Sequence, residues 1–297
     1  YEMLRSLVGS EMCIRDRFDE VFWEGVDKIL TVFETEMNHE EKSPYSFIRK
    51  NCSYTDTLSR DGKGAQVKSG IGLIWSGFRP SDDSCRYGYL IPSNMFAVVV
   101  LNYLKEIADF VGGKEEIAKK AEEMAKTVKQ AIETYGTTHI WGLGDVYAYE
   151  VDGFGQYNLM DDANVPSLLA MPYLGDVERT DPIYENTRRF VWSEENPYFW
   201  RGSAGEGIGG PHIGVEMIWP MSIMMRAFTS EDDAEIRDCI VALMTTDAGT
   251  GFMHESFSRH DAANFTRPWF AWQNTLFGEL ILKLVNENKV DLLNSID

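Results

Sequence analysis

Between Ser93 and Glu133 two helical periodicities meet at Gly112 and Gly113. On the first side Phe96, Val100, Leu104 and Ile107 recur at three-to-four spacing over 93–111, with Ser93 as the expected N-cap after Pro92. On the second side Ile117, Ala121, Met124, Val128 and Ile132 form one stripe over 114–133, and lysines and glutamates cover the rest. Two glycines between two such stripes predict an antiparallel helical hairpin. Further helices are expected at 18–37, 164–173, 182–191, 213–228, 231–245 and 269–287. Strand signals are short: Val67 to Ile74, and Tyr147 to Val151. With no linker and no repeat, the chain reads as one all-α domain of helical hairpins carrying long loops.

The 297 residues are 44% hydrophobic, so a large core can form. With 28 basic and 47 acidic residues the net charge is −19, which excludes the basic footprint that nucleic acid or an anionic membrane surface needs. Cys13, Cys52, Cys85 and Cys239 are scattered without a CxxC pair or zinc spacing, so free thiols in a reducing, cytoplasmic setting are expected. No apolar run is long enough to span a bilayer. Residues 1–17, YEMLRSLVGSEMCIRDR, lack a period and resemble translated sequencing-adapter read-through; they are expected to be foreign to the fold, which then occupies 18–297.

Chemistry concentrates in five loops: 72–83 (GLIWSGFRPSDD), 149–167 (YEVDGFGQYNLMDDANVPS), 199–214 (FWRGSAGEGIGGPHIG), 249–257 (GTGFMHESF) and 265–274 (FTRPWFAWQN). They are dense in carboxylates, arginines, glycines and planar aromatics. Aromatic faces stack on sugar rings, and charged side chains take hydroxyls in paired hydrogen bonds. Two carboxyl groups cut a glycosidic bond, one as acid and one as base or nucleophile.

Each motif also has a plainer reading. Asp82 and Asp83 can serve a turn, with Arg79 as ion-pair partner. Asp161, Asp162 and Asn164 can cap the helix expected at 164–173, or form an oxygen-rich calcium site whose spacing does not fit an EF-hand. The glycines of 202–212 lack the Lys-Ser/Thr ending of a phosphate loop and suit a close backbone approach to a ligand, near Glu206 and His212. His254 and Glu255 can be a surface pair; Arg259 stands where a zinc-binding HExxH would need its second histidine. Trp269 and Trp272 read as core at helical spacing. No GxSxG motif is present.

Taken together, SGFRPSDD, MDDANVPSLL, the GIGGPH loop, GTGFMHESF and RPWFAWQNTLFGELI resemble glycoside hydrolase family 125 from about Tyr45 to the C-terminus. The resemblance implies an (α/α)6 barrel with its site in loops at one end. It also implies an exo-acting, inverting α-mannosidase that takes a terminal α-1,6-linked mannose of an oligosaccharide and needs neither metal nor other cofactor. Carried over, Asp82, or its neighbour Asp83, is the general acid and Glu255 the general base. Arg79, Asp83, Asp161, Asp162, Asn164, His212, His254 and Arg267 are the expected sugar-binding residues. The family's upstream WLRDS-like segment is absent, since CIRDR (13–17) is not taken as its equivalent, so an incomplete barrel lacking its first helices is expected. Alternatives are another helical-barrel glycosidase, a metal-dependent mannosidase if calcium sits at Asp161 and Asp162, and a non-catalytic carbohydrate-binding module.

Overall fold

The computed structural model describes residues 17–296. Most of the segment expected to be foreign, including Cys13, lies outside the described residues. The regular structure is mainly helical. Helix α1 (Glu20–Glu36) is started by Asp19, whose side chain accepts from Phe22 N at 2.9 Å. Its Trp23, Val26 and Leu30 are buried.

The expected hairpin is present as α2 (Ile91–Val111) packed on α3 (Glu115–Tyr135). Gly112 and Gly113 have φ of 77° and 69°, and a Cβ at either would meet open space, so backbone conformation rather than room is what calls for glycine there. The buried face of α3 includes Ala118, Ala121, Ala125 and Ala131, and such small residues let two helix axes come close. Ser93 is not the N-cap. Helix α2 begins two residues earlier, with Pro92 in its first turn, where the missing N–H costs nothing. Asn94 instead ties the helix start to the first site loop, accepting from Ile74 N at 2.7 Å and donating to Ile74 O and Leu90 O.

The longer helices that follow among the described residues are α4 (Pro182–Val191), α5 (Pro220–Phe228), α6 (Asp233–Thr245) and α7 (Ala271–Asn286). Asp181 and Asp232 cap α4 and α6 through Tyr184 N and Ala234 N. Helix α5 packs on both α6 and α7. Where 213–228 reads as one helix, the first part is extended: Met217–Ile218 pairs with Phe257 and Ser258, and Pro220 then opens α5.

The segment 164–173 also departs from the helical reading. Both carboxylate oxygens of Asp161 take backbone N–H groups, from Leu168 at 2.8 Å and Leu169 at 3.0 Å. The chain therefore turns, and only Met171–Leu174 makes one helical turn. Residues 67–74 form no strand, because their backbone bonds go elsewhere: Lys68 N to Asp152 O, Gly70 N to Met37 O, Ile74 N to Asn94. The 147–151 stretch splits between two strands.

Short antiparallel strands stiffen the loops. They are β1 (Tyr89–Leu90), β2 (Thr137–Ile140), β3 (Gly144–Tyr147), β4 (Glu150–Val151), β5 (Tyr157–Asn158), β6 (Phe199–Arg201), β7 (Glu206–Ile208), β8 (Met217–Ile218), β9 (Ser256–Ser258) and β10 (Asp261–Thr266). They pair as β1-β4-β5, β10-β9-β8, β2-β3 and β6-β7. Among the described residues Cys52, Cys85 and Cys239 are free. No described helix is long and apolar enough to cross a membrane.

Candidate active site

The segment 78–84 is a tight hairpin. Asp82 N bonds to Arg79 O at 3.0 Å, Arg79 N bonds to Asp83 O at 2.8 Å, and Phe78 bridges Ser84. Pro80 takes the second turn position, and Asp82 then adopts φ 71°. Aspartate is among the residues that tolerate this left-handed conformation. The backbone twist sends the two neighbouring carboxylates into different surroundings. Asp82 is exposed, whereas Asp83 is buried.

Burial, and then the neighbouring Asp162 carboxylate, push the Asp83 carboxyl above its ordinary value, although His212 and Arg79 pull the other way. Its Oδ1 lies 3.6 Å from His212 Nδ1. Its Oδ2 has no hydrogen-bond partner among the described residues.

Arg79 does not pair with these aspartates. Its Nε donates to Glu150 Oε1 at 2.6 Å, and its guanidinium lies over the Tyr149 ring. Burial works against the Arg79 charge, but the Glu150 carboxylate more than offsets it and holds the group above its ordinary value. Glu150 went unmarked in the sequence. Its Oε2 accepts from Arg86 N, Tyr87 N and Asn158 Nδ2, so both carboxylate oxygens are fully engaged.

Beneath the hairpin lies the 160–170 loop. Asp162 accepts from Ser81 Oγ at 2.8 Å and from Asn164 Nδ2 at 3.0 Å. Asp161, fully buried, is pushed up to about 8 by that burial, against the two backbone N–H groups that favour its charge. Asp162 is raised by burial as well. The capping role expected for this cluster is fulfilled by Asp161, on a turn rather than a helix. With its oxygens already taken by N–H groups, no calcium-type donor set forms here. Among the described residues no group of three or more His, Cys, Asp or Glu is arranged to hold a metal ion.

The glycine-rich loop approaches this floor closely. Gly209 O accepts from Ala163 N at 3.3 Å. A Cβ built on Gly210 would stand 2.9 Å from Asp162 Oδ1, nearer than side chains pack. His212 follows in a one-turn 3-10 segment, and the 202–208 glycines belong to the β6-β7 hairpin.

An aromatic row leads from His212 to the second carboxylate. The His212 and Trp219 rings are 6.5 Å apart, the Trp219 and Phe270 rings 6.0 Å, and Arg267 lies 5.6 Å over Phe270. Arg267 Nε is 3.2 Å from Glu255 Oε1. Glu255 is held by its backbone, with its N bonded to Thr266 O and its O accepting from Gln273 Nε2. Its side chain is 9% exposed.

His254 is buried, stacked on Phe265 at 3.7 Å, with its ring nitrogens facing Pro268 O and Asp247 O. It ties together the two ends of the loop that carries Glu255. Trp269 is 55% exposed and Trp272 also reaches solvent, so neither is the core residue its spacing suggests. Trp219 was not marked in the sequence, and its buried Nε1 has no partner among the described residues. Its only sequence signal is its place between the GIGGPH loop and Pro220.

The profile of the family described as metal-independent alpha-mannosidase (GH125) matches residues 7–282, from within the 1–17 segment and upstream of Tyr45. A meiotically up-regulated gene 157 protein of Schizosaccharomyces pombe is 45% identical over 277 residues, 90% of this chain and 54% of that protein. A solved metal-independent alpha mannosidase from Streptococcus pneumoniae, in a non-productive substrate complex with alpha-1,6-mannobiose, superposes with TM-score 0.88 at 42% identity. That alignment covers 91% of this chain and 63% of the other. The chain thus spans about half the length of the curated relative and under two thirds of the solved one. Its paired helices follow the neighbour's α/α barrel. The family match covers far more than half of the chain, and the chain belongs to the metal-independent alpha-mannosidases of family GH125.

Proposed function

We propose that this chain hydrolyses the glycosidic bond of a terminal, α-1,6-linked mannose with inversion, using Asp82 as general acid and Glu255 as general base. What supports the reading is that Asp83, the neighbour of Asp82 in the 78–84 hairpin, lies against His212 at one end of the His212–Trp219–Phe270 row, and Glu255 pairs with Arg267 at the other end. The alpha-1,6-mannobiose complex of the pneumococcal neighbour supports the linkage.

Asp82 is preferred over Asp83 on access. A general acid must touch the leaving oxygen, and Asp82 is exposed while the Asp83 side chain is only 2% exposed. Asp83 instead lies buried against His212 at the floor. In the step, Asp82 gives its proton to the glycosidic oxygen as the bond to C1 breaks. Water adds to C1 from the opposite face and loses its proton to Glu255, leaving β-mannose. Arg267 Nε, 3.2 Å from Glu255 Oε1, holds that carboxylate in place. Arg79, Asp161, Asp162 and Asn164 hold the hairpin and floor in register rather than reaching for the sugar.

The test is an assay of α-1,6-mannobiose beside its α-1,2 and α-1,3 isomers, in chelator, with the product anomer followed by NMR. Release of β-mannose from the α-1,6 isomer alone is the expected result. Initial release of α-mannose, or equal cleavage of all three, overturns the inverting or the linkage assignment respectively.

A further inference from the structure

Behind the glycine-rich loop runs a ladder of alternating charges. Arg201 Nε donates to Glu206 Oε2 at 2.6 Å, across the β6-β7 pair in which these residues face each other. Glu206 Oε1 accepts from Arg226 Nη1 at 3.1 Å and from Trp192 Nε1 at 3.2 Å. Arg226 Nε then donates to Glu235 Oε1, and Arg188 Nη2 to Glu235 Oε2, both at 2.7 Å. The Arg226 guanidinium also covers the Trp192 ring at 4.4 Å. The ladder joins the hairpin to α4, α5 and α6, and its members Arg188, Arg226 and Glu235 line an open cavity of about 780 Å³.

Its outermost carboxylate sits at the start of β7, and the site begins where β7 ends. Ile208 N bonds to Ser222 Oγ, Gly209 N bonds to Tyr198 O, and Gly210 then packs on Asp162 ahead of His212. Charged networks with directional, paired hydrogen bonds fix geometry more than they add stability. The turn of the hairpin is held by Ala204 N on Arg259 O and Ser203 Oγ on His260 O, and its far end by Ile208 and Gly209; Glu206 adds the side-chain link to Trp192 and Arg226 between them.

We propose that Glu206 is a positioning residue for the substrate pocket: it locks the β6-β7 hairpin to Trp192 and Arg226 and so sets where Gly210 and His212 stand. This rests on the mannosidase reading for its kinetic consequence, but not for its structural one. Removing Glu206 leaves Arg226 paired with Glu235, so no buried charge is stranded and the fold survives.

The experiment is hydrogen exchange and kinetics on the full chain carrying Glu206→Ala or Glu206→Gln, with Lys283→Ala, which breaks an exposed helical pair, as control. In Glu206→Ala the Ile208 and Gly209 amides should exchange at least about tenfold faster, while the protected amides of α3 keep their rates. On α-1,6-mannobiose kcat/KM should fall about ten- to a hundredfold, mostly through KM, and Glu206→Gln should recover part of both effects. Unchanged exchange at Ile208 and Gly209 overturns the proposal. So does a loss that appears equally in α3, which marks a purely global role. If the unsubstituted chain cleaves nothing, the mannosidase reading fails, and the exchange comparison still decides the ladder.

Discussion

Arg79 and Glu150 form an ion pair at 2.6 Å in which the side chains are 6% and 0% exposed, 71 residues apart in sequence. Breaking such a pair from one side strands the other charge. Glu150→Ala is expected to lower the unfolding free energy by about 3–5 kcal/mol, measured by urea titration. A change below about 1 kcal/mol would mean the guanidinium finds another partner or reaches water.

The two candidate acids separate by leaving group. Asp82→Asn should slow α-1,6-mannobiose by about a hundredfold or more, yet cost far less on an activated aryl α-mannoside, whose leaving oxygen needs little protonation. Asp83→Asn should act on both substrates alike, because it changes the floor against His212 and not the proton donated to the leaving oxygen. If instead Asp83→Asn shows the leaving-group dependence, the two roles exchange.

Glu255→Gln should abolish turnover of both substrates, by about 10²–10⁴-fold, while leaving mannobiose binding measurable by calorimetry. Cleavage that persists on the aryl substrate would place the base elsewhere.

Stability should depend on pH through the buried aspartates. Burial raises Asp161 to about 8, and Asp83 and Asp162 are raised too, so the folded chain holds protons that the unfolded chain releases above the ordinary carboxylate range. This contribution is complete below about pH 4 and is lost as pH rises through about 8. Glu235 acts in the opposite sense. Burial raises it, but hydrogen bonds from Arg188, Ser230 and Arg226 overcome this and hold it at about 2, so its contribution is present above about pH 4 and lost as pH falls through about 2. Urea midpoints should therefore decline from pH 5 to pH 8, and Asp161→Asn should flatten the decline. An equal slope in both proteins would show that Asp161 does not titrate there.

The His254 ring nitrogens face Pro268 O and Asp247 O, and a single imidazole N–H bonds one of them, so His254→Ala removes that anchor and the stack on Phe265. A loss of about 2–4 kcal/mol in unfolding free energy is expected, with faster amide exchange at Glu255 and Phe270.

What the sequence makes legible is whatever depends on near neighbours. The α2–α3 hairpin follows from two apolar stripes and two glycines, and α4 from Asp181, Pro182 and a short amphipathic run. The motif-bearing loops are visible by composition, and the structure gathers most of them around one site. What fails is set by distant partners. The 164–173 helix is lost because Asp161 captures Leu168 N and Leu169 N. Glu150 is silent because its donors come from residues 79, 86, 87 and 158. Asp82 and Asp83 are identical in composition, and only the hairpin's left-handed residue assigns one to the surface and one to the floor.

Gly210 leaves no space between its α-carbon and the carboxylate of Asp162. Every one of the other nineteen residues brings at least one more carbon to that point, so a drifting lineage cannot sample position 210 without first moving Asp162, and through it Ser81 and Asn164. In a saturation library selected only for folding, position 210 should therefore be nearly as intolerant as the core, although it carries no side chain and performs no chemistry.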